Sequence, residues 1–287
     1  MVDIVIEGQG AHAFADRLTV KNIWRKDNAI RLCDLNTDSD CVNDIVESAR
    51  GAGLDVNVVK SGLSIRSFGI LALDMDSTLI QLECIDDIAE QYGVGKEVAA
   101  MTAKAMEGHM DFAEYLRDRV KLLAGAPTAI VDETVKHAFL MPGARELINF
   151  VKSHGIHTYI LSGGFSDIAR AVAQTLQMDG YLCNQLVIAD GKLTGDVTGP
   201  AGGEILDAHG KRRALEMLSM LHGLDLSQSI CGGDGANDLE MIRVAGIGVA
   251  FHGKPIVAAS SPYQINHGGL DTLINFFIEA WAKAEKA

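Results

Sequence analysis

The chain has 287 residues, 48% hydrophobic and 22% charged, enough apolar material for one large domain or two to three modest ones, which excludes a disordered chain. Its formal net charge is -13, with no dense basic cluster beyond Lys211, Arg212 and Arg213, so no nucleic-acid partner is expected. An anionic substrate would meet a repulsive long-range field, and its site must supply local positive charge.

Residues 1–68 are expected to form a small α+β module. VDIVIEG reads as a strand, and CVNDIVESARGAGLDV as a helix closed by glycine that leads into the strand VNVVK. The module holds no catalytic constellation; ligand binding, oligomerisation and packing are its open roles. The main domain opens at SFGILAL, an apolar strand running into DMDSTL. Residues two apart on a strand point the same way, so Asp74 and Asp76 leave its C-terminal end into one crevice, where open parallel sheets place their ligands. Two unpaired carboxylates side by side repel, and a divalent cation relieves that repulsion. One of them can attack phosphorus and become an aspartyl phosphate. A bare DxD is commonly only a strand followed by an acidic turn; the apolar strand before it and the matching segments after it favour a site.

Residues 80–140 carry helical patterns (CIDDIAEQYG, KEVAAMTAKAMEG, FAEYLRDRVKLLAG, AIVDETVKHAF) and no convincing strand, so they read as an all-helical insert. From residue 142 strands and helices alternate. PGARELINFVKSHG is a helix, IHTYILSGG a strand, SDIARAVAQTLQ a helix and LCNQLVIADGKLTGDVTG a hairpin around its DG turn. GKRRALEMLSMLHG follows as a helix, SQSICGGDG as a strand and turn, ANDLEMIRVAG as a helix and IGVAF as a strand. This alternation predicts an α/β fold, a parallel sheet flanked by helices on both faces.

Further segments carry chemistry. Ser162 sits where a strand stops, and Gly163 and Gly164 let backbone approach a ligand, with an anion-binding helix N-terminus to follow; a serine before two glycines is also a common turn. Lys211 lies near a helix start, where the helix dipole disfavours it; it can serve a phosphoryl group as a point charge or be a solvated surface lysine. In ICGGDGANDLEM, Asp234 supplies a hard oxygen ligand at the sheet edge. Asn237 and Asp238 can hydrogen-bond substrate, lysine or metal-bound water, and Asp238 can equally serve its helix dipole.

The order DMDSTL, SGG, lysine and GDGAND resembles the haloacid dehalogenase (HAD) superfamily of phosphohydrolases over about residues 69–280. LDMDSTLIQLECID, MEGHMDFAEYLRDRV and GGDGANDLEMIRVAGIGVAFHGKP bring it nearest to the phosphoserine phosphatases of that superfamily. The resemblance implies an HAD-like Rossmannoid core at 69–79 and 141–287 with a helical cap at 80–140. It implies Mg2+-dependent hydrolysis of phosphoserine, the last step of serine biosynthesis. Asp74 would be the nucleophile, and Asp76 the general acid and then base. Mg2+ would be held by Asp74, Asp234 and the backbone carbonyl of Asp76. Lys211, Ser162, Gly163 and Asn237 would hold the phosphate. Glu83 would pair with the substrate ammonium and Arg119 with its carboxylate; Met106 and Phe112 would cover the site. Apart from the resemblance, Glu83 and Arg119 are equally surface charges, and Met106 and Phe112 ordinary packing residues. The alternatives are a related small-metabolite phosphatase or phosphotransferase and a non-catalytic metabolite sensor.

Cys33, Cys41, Cys84, Cys183 and Cys231 form no metal-binding spacing and read as free thiols in a reducing compartment. No stretch approaches the ~18–20 apolar residues of a spanning helix, and the start MVDIVIEGQG lacks a secretory pattern. A cytoplasmic enzyme is expected, without membrane contact and compatible with a homodimer.

Overall fold

The computed structural model describes residues 1–36, 40–107 and 111–286, and their side chains except at 40, 103–107 and 286. The chain begins with β1 (Val2–Glu7), α1 (Ala11–Ala15), β2 (Ile23–Lys26), β3 (Ala29–Leu35), α2 (Asp40–Gly51) and β4 (Asp55–Lys60). β5 (Ile70–Leu73) is followed by α3 (Cys84–Tyr92), α4 (Gly95–Glu107), α5 (Phe112–Lys121) and α6 (Ala129–His137). Then come α7 (Ala144–Ser153), β6 (His157–Phe165), α8 (Ser166–Leu176), β7 (Gly180–Ala189) and β8 (Lys192–Thr198). The chain closes with α9 (Ala208–Leu221), β9 (Ser229–Gly233), α10 (Leu239–Val244), β10 (Ile247–Phe251), α11 (Pro255–Ser260), β11 (Tyr263–Ile265) and β12 (Glu285–Lys286).

The main sheet has the order β11-β10-β9-β5-β6-β7-β8. Its pairs are parallel except β7 with β8. β5 is its central strand because it is apolar on both faces. Leu71 and Leu73 join one buried cluster, and Ile70 and Ala72 the other, beneath α9. Each such aliphatic side chain contributes about 1.5–3 kcal/mol on burial, so this strand end is anchored from both sides. The chain winds outward from β5 through β6 and β7, then returns to lay β9 on the other flank. The crevice where that direction reverses opens beside Asp74. The β7–β8 turn places Asp190 and Gly191 at φ 50° and 73°, the left-handed pair that a two-residue hairpin requires.

The second sheet, β12-β2-β3-β1-β4, pairs antiparallel throughout. β1 alternates: Ile4 and Ile6 pack with Val42, Ile45 and Ala49 of α2, while Val5 faces the main core. Between the sheets, the buried Arg31 donates to Asp3 and to the carbonyls of Asn275 and Phe276.

Some local readings differ from the sequence expectation. β6 runs through the two glycines to Phe165. The segment after Gly235 is a 3-10 turn, Ala236–Asp238, before α10, because the Asp238 side chain folds back to accept from the Gly235 amide at 2.9 Å. The chain's end does not stay with the main sheet: β12 pairs with β2. Between 80 and 140 the described residues form α3–α6 and an isolated bridge from Ile80 to Leu140 that joins the two ends of the insert. No described helix is long and apolar enough to cross a membrane. Among the described residues no cysteine forms a disulfide, and of the five only Cys41 is exposed.

Candidate active site

The C-terminal ends of β5, β6 and β9 meet at one cavity of about 680 Å3. Its floor is an ion network. Asp74 is 5% exposed and Lys211 is fully buried. The Lys211 ammonium lies 2.9 Å from Asp74 Oδ1 and 2.6 Å from Asp238 Oδ1. This excludes the surface reading of that lysine: α9 begins at Ala208, capped by the Asp207 side chain on the Gly210 amide, and its first turn aims Lys211 inward. Burial works against the ammonium, but Asp238 and Asp74 outweigh it and hold its pKa above the ordinary lysine value.

Asp74, Asp234 and Asp238 bring carboxylate oxygens within 4.8 Å of one another. Burial, then the charge of Asp74, raises the pKa of Asp234, and the same two causes push Asp238 up to about 8. A crowded set of hard oxygens whose charges resist coexistence suits a divalent cation. Asp238, placed by the sequence reading beside the metal, thus belongs to the same oxygen cluster while also gripping Lys211. Thr78 Oγ1 donates to Asp234 Oδ1 at 3.4 Å, and Lys254 approaches Asp234 Oδ2 at 3.5 Å.

Asp76 follows on the turn after β5. Burial and the charge of Glu83 hold its carboxyl well above the usual range. The Cys84 thiol donates to Asp76 Oδ1 at 2.8 Å. Oδ2 faces the Ser162–Gly164 turn, where a Cβ on Gly164 would come within 2.7 Å of it. Ser162 Oγ accepts from the Gly164 amide at 3.0 Å. The buried Asn184 side chain donates to Gly163 O at 2.9 Å and accepts from Leu206 N at 2.7 Å. It ties this turn to the approach of the Lys211 helix.

The roof comes from the helical segment. Phe112 lies directly over Gly163, where a Cβ would meet Phe112 Cζ at 2.7 Å and Asn237 Nδ2 at 3.6 Å. Arg119 is 9% exposed. Its guanidinium sits 4.0 Å above the Tyr115 ring, a favourable stack, and its buried Nε has no hydrogen-bond partner among the described residues. Glu83 accepts from Ser77 Oγ at 2.9 Å; burial raises its pKa against that bond. Asp74, Asp76, Glu83, Phe112, Arg119, Ser162, Gly163, Asn237 and Asp234 all line the cavity. Lys211 and Asp238 lie just behind Asp74. The side chain of Met106 lies outside the described residues.

Sequence reasoning did not single out Lys254, Tyr115, Cys84 or Asn184. Lys254 had a local signal, a lysine before proline at a helix start, and Tyr115 sits one turn before Arg119 on the same helix. Cys84 and Asn184 had none, since their partners lie across folded turns.

The sequence profile of the haloacid dehalogenase-like hydrolases matches residues 71–243. A phosphoserine phosphatase from Streptomyces coelicolor is 42% identical over 230 residues, covering 80% of this chain and 55% of that protein. One from Haemophilus influenzae is 41% identical over 232 residues, covering 81% of this chain and 73% of the relative. The chain therefore spans little more than half of the first relative's length. The unliganded crystal structure of a probable phosphoserine phosphatase from Vibrio cholerae superposes with a TM-score of 0.80 at 32% identity, covering 99% of this chain and 89% of that one. The chain belongs to the haloacid dehalogenase-like hydrolase family, and these relatives within it are phosphoserine phosphatases.

Proposed function

We propose that the chain hydrolyses O-phospho-L-serine to L-serine and phosphate, with Mg2+ as cofactor. One observation carries this reading: a single cavity has Asp74 and Lys211 at its floor and Glu83 and Arg119 in its walls. Phosphoserine carries three groups of matching charge, a phosphate, an ammonium and a carboxylate.

Asp74 attacks phosphorus in line and becomes the aspartyl phosphate, while the P–O bond to serine breaks. Asp76 gives its proton to the departing serine oxygen; its raised pKa keeps that proton available. The resulting carboxylate then takes a proton from water, which attacks the phosphoaspartate and frees Asp74. Lys211 offsets the charge of the transferring group, and Ser162, the Gly163 amide and Asn237 orient its oxygens. Asp74, Asp234 and the backbone carbonyl of Asp76 would hold Mg2+, with the Asp238 carboxylate beside them, and the ion would supply further positive charge to the phosphoryl oxygens. Glu83 takes the substrate ammonium and Arg119 its carboxylate. Phe112, together with Met106, closes the helical cap over the core and excludes bulk water. Five cysteines outside disulfides among the described residues favour a cytoplasmic setting.

Phosphate release is measured from both enantiomers of phosphoserine, other small phosphate esters and p-nitrophenyl phosphate, with Mg2+ and with chelator. The expected result is Mg2+-dependent release with phosphoserine preferred. A stronger preference for an ester lacking the amino-acid group would transfer the reading to another small-metabolite phosphatase. No release from any ester would leave a non-catalytic sensor.

A further inference from the structure

No described residue of the N-terminal sheet lines the cavity, yet a line of hydrogen bonds joined by short stretches of backbone leads from it to Asp234. It begins on β4. Asp55, 2% exposed, accepts from three successive backbone amides of the loop after β11: Asn266 at 2.6 Å, His267 at 3.1 Å and Gly268 at 2.7 Å. Asn57, 5% exposed, mimics a strand partner. Its side chain donates to Gln264 O at 2.8 Å and accepts from Gln264 N at 2.9 Å. A buried carboxylate on three amides and an amide on two backbone groups form an exacting joint, since any slip leaves buried polar atoms unpaired.

The joint fixes residues 264–268, and these hold the next segment. His252 Nε2 donates to Gly268 O at 2.8 Å, and the His252 amide donates to Ile265 O at 2.7 Å. His252 sits at φ 45°, a left-handed conformation that a non-glycine residue keeps only when its surroundings impose it. Two residues on, the Lys254 amide donates to Asp234 O at 2.9 Å, and its ammonium reaches Asp234 Oδ2 at 3.5 Å. Lys254 is half-exposed and caps the short helix α11, whose Val257 and Ala258 amides donate to its carbonyl at 2.8 and 3.0 Å.

We infer that the N-terminal module is a brace for this arm of the active site: Asp55 and Asn57 are positioning residues that act through residues 264–268 and His252 on Lys254 and Asp234. The module thereby gains a catalytic consequence without touching substrate. The inference rests on the proposed phosphatase reading only for its kinetic readout.

The test uses the full chain carrying Asp55→Ala or, in a second protein, His252→Phe, which removes the Nε2 bond to Gly268 O and leaves the module and the amide bond to Ile265 O in place. Amide hydrogen exchange at His252 and Lys254 is expected to quicken by about 2- to 30-fold in both, the usual reach of coupling through a packed network, while the Leu73 and Ile160 amides keep their rates. kcat/KM for phosphoserine is expected to fall by a similar factor of about 2- to 30-fold. In a Lys254→Met background, which removes the ammonium contact with Asp234 and keeps the amide bond, Asp55→Ala is expected to add less than its full loss, because part of its route to the site is already cut. Unchanged exchange at His252 and Lys254, equal acceleration at Leu73, or a full additional loss in the Lys254→Met background would each overturn the brace. If Asp55→Ala fails to fold, His252→Phe decides by the same readouts. If the unaltered protein releases no phosphate from phosphoserine, the proposed function fails and the exchange measurement still decides the brace.

Discussion

The floor and the roof of the cavity are built on opposite principles. On the floor, Lys211 is locked between Asp74 and Asp238 at 2.9 and 2.6 Å and is fully buried. On the roof, Arg119 is buried almost as deeply, but among the described residues its Nε has no hydrogen-bond partner, and its guanidinium rests on Tyr115. The Lys211 network is thus in place before a substrate arrives, and part of the roof's charge is unspent. A preorganised floor costs no rearrangement when charge moves during phosphoryl transfer. An unspent roof cation is matched by what a particular substrate brings. Chemistry and selectivity are therefore separable, and substitutions should sort by layer.

The largest effect is expected at the floor's centre. Asp74→Asn should lower turnover by about 10^4-fold or more, since an amide cannot form the phosphoenzyme. Rapid-quench labelling should find acyl phosphate on Asp74 in the unaltered protein; label on any other residue would break the assignment of the floor.

Lys211→Met comes next. It removes one charge and leaves two carboxylates buried without their partner, a loss of about 3–5 kcal/mol in folding stability. Denaturant melts measure it. A variant as stable as the parent would mean that the floor is not the locked network its distances describe.

Arg119→Ala sharpens the comparison from the other side. Losing a charge-assisted grip should cost about 1.5–3 kcal/mol in kcat/KM for phosphoserine, while p-nitrophenyl phosphate, which has no carboxylate to hold, is hydrolysed nearly as before. Equal losses on both substrates would move Arg119 from selectivity into chemistry or scaffolding, and would weaken phosphoserine as the substrate.

The smallest effect is a pH and metal dependence of stability. Asp238, pushed up to about 8, and Asp234, also raised, bind protons more tightly folded than unfolded. The folded state therefore holds more protons between the ordinary carboxylate range and about pH 8, and stability from these groups falls as pH rises through that window, by up to ~1.4 kcal/mol per pH unit for each proton. Chelated protein should melt higher near pH 5 than near pH 8 on their account, and Asp238→Asn should flatten that slope. Added Mg2+ should raise the melting temperature more near pH 8, where the carboxylates are free to bind it. An identical Mg2+ response at both pH values would remove Asp234 and Asp238 from the metal site.

Much of the site's floor was legible because its signals are local. A short run such as ILAL, apolar at each position and followed by turn residues, fits a strand buried on both sides, and carboxylates just past its C-terminal end fall at the crevice of the sheet; β5 itself ends at Leu73, so the turn after it and not strand alternation places Asp76. GDGAND announces itself in the same way, as a small-residue turn at the end of a strand; SGG was read as such a turn too, but β6 continues through it to Phe165. The hairpin at Asp190 and Gly191 follows from backbone conformation alone. Lys211 and Glu83 were readable only as alternatives, because burial depends on what is packed against a helix and a linear pattern does not contain it. The fold resolved Lys211 by bringing Asp74 and Asp238 to it from 137 and 27 residues away. The exposed-looking Asn184, the thiol of Cys84 on Asp76, the return of β12 to β2 and the joint from Asp55 to residues 266–268 left no trace in periodicity. Each is a contact between elements whose separate sequences are satisfied in many other arrangements. Sequence by itself determined β1 and β4 to β10 and the order in which the chemistry appears, while β2, β3, β11 and β12 were not read from it. Tertiary structure alone decided which charges are buried together, because the energy of a buried ion pair depends on distance and desolvation, and neither exists until the chain has folded.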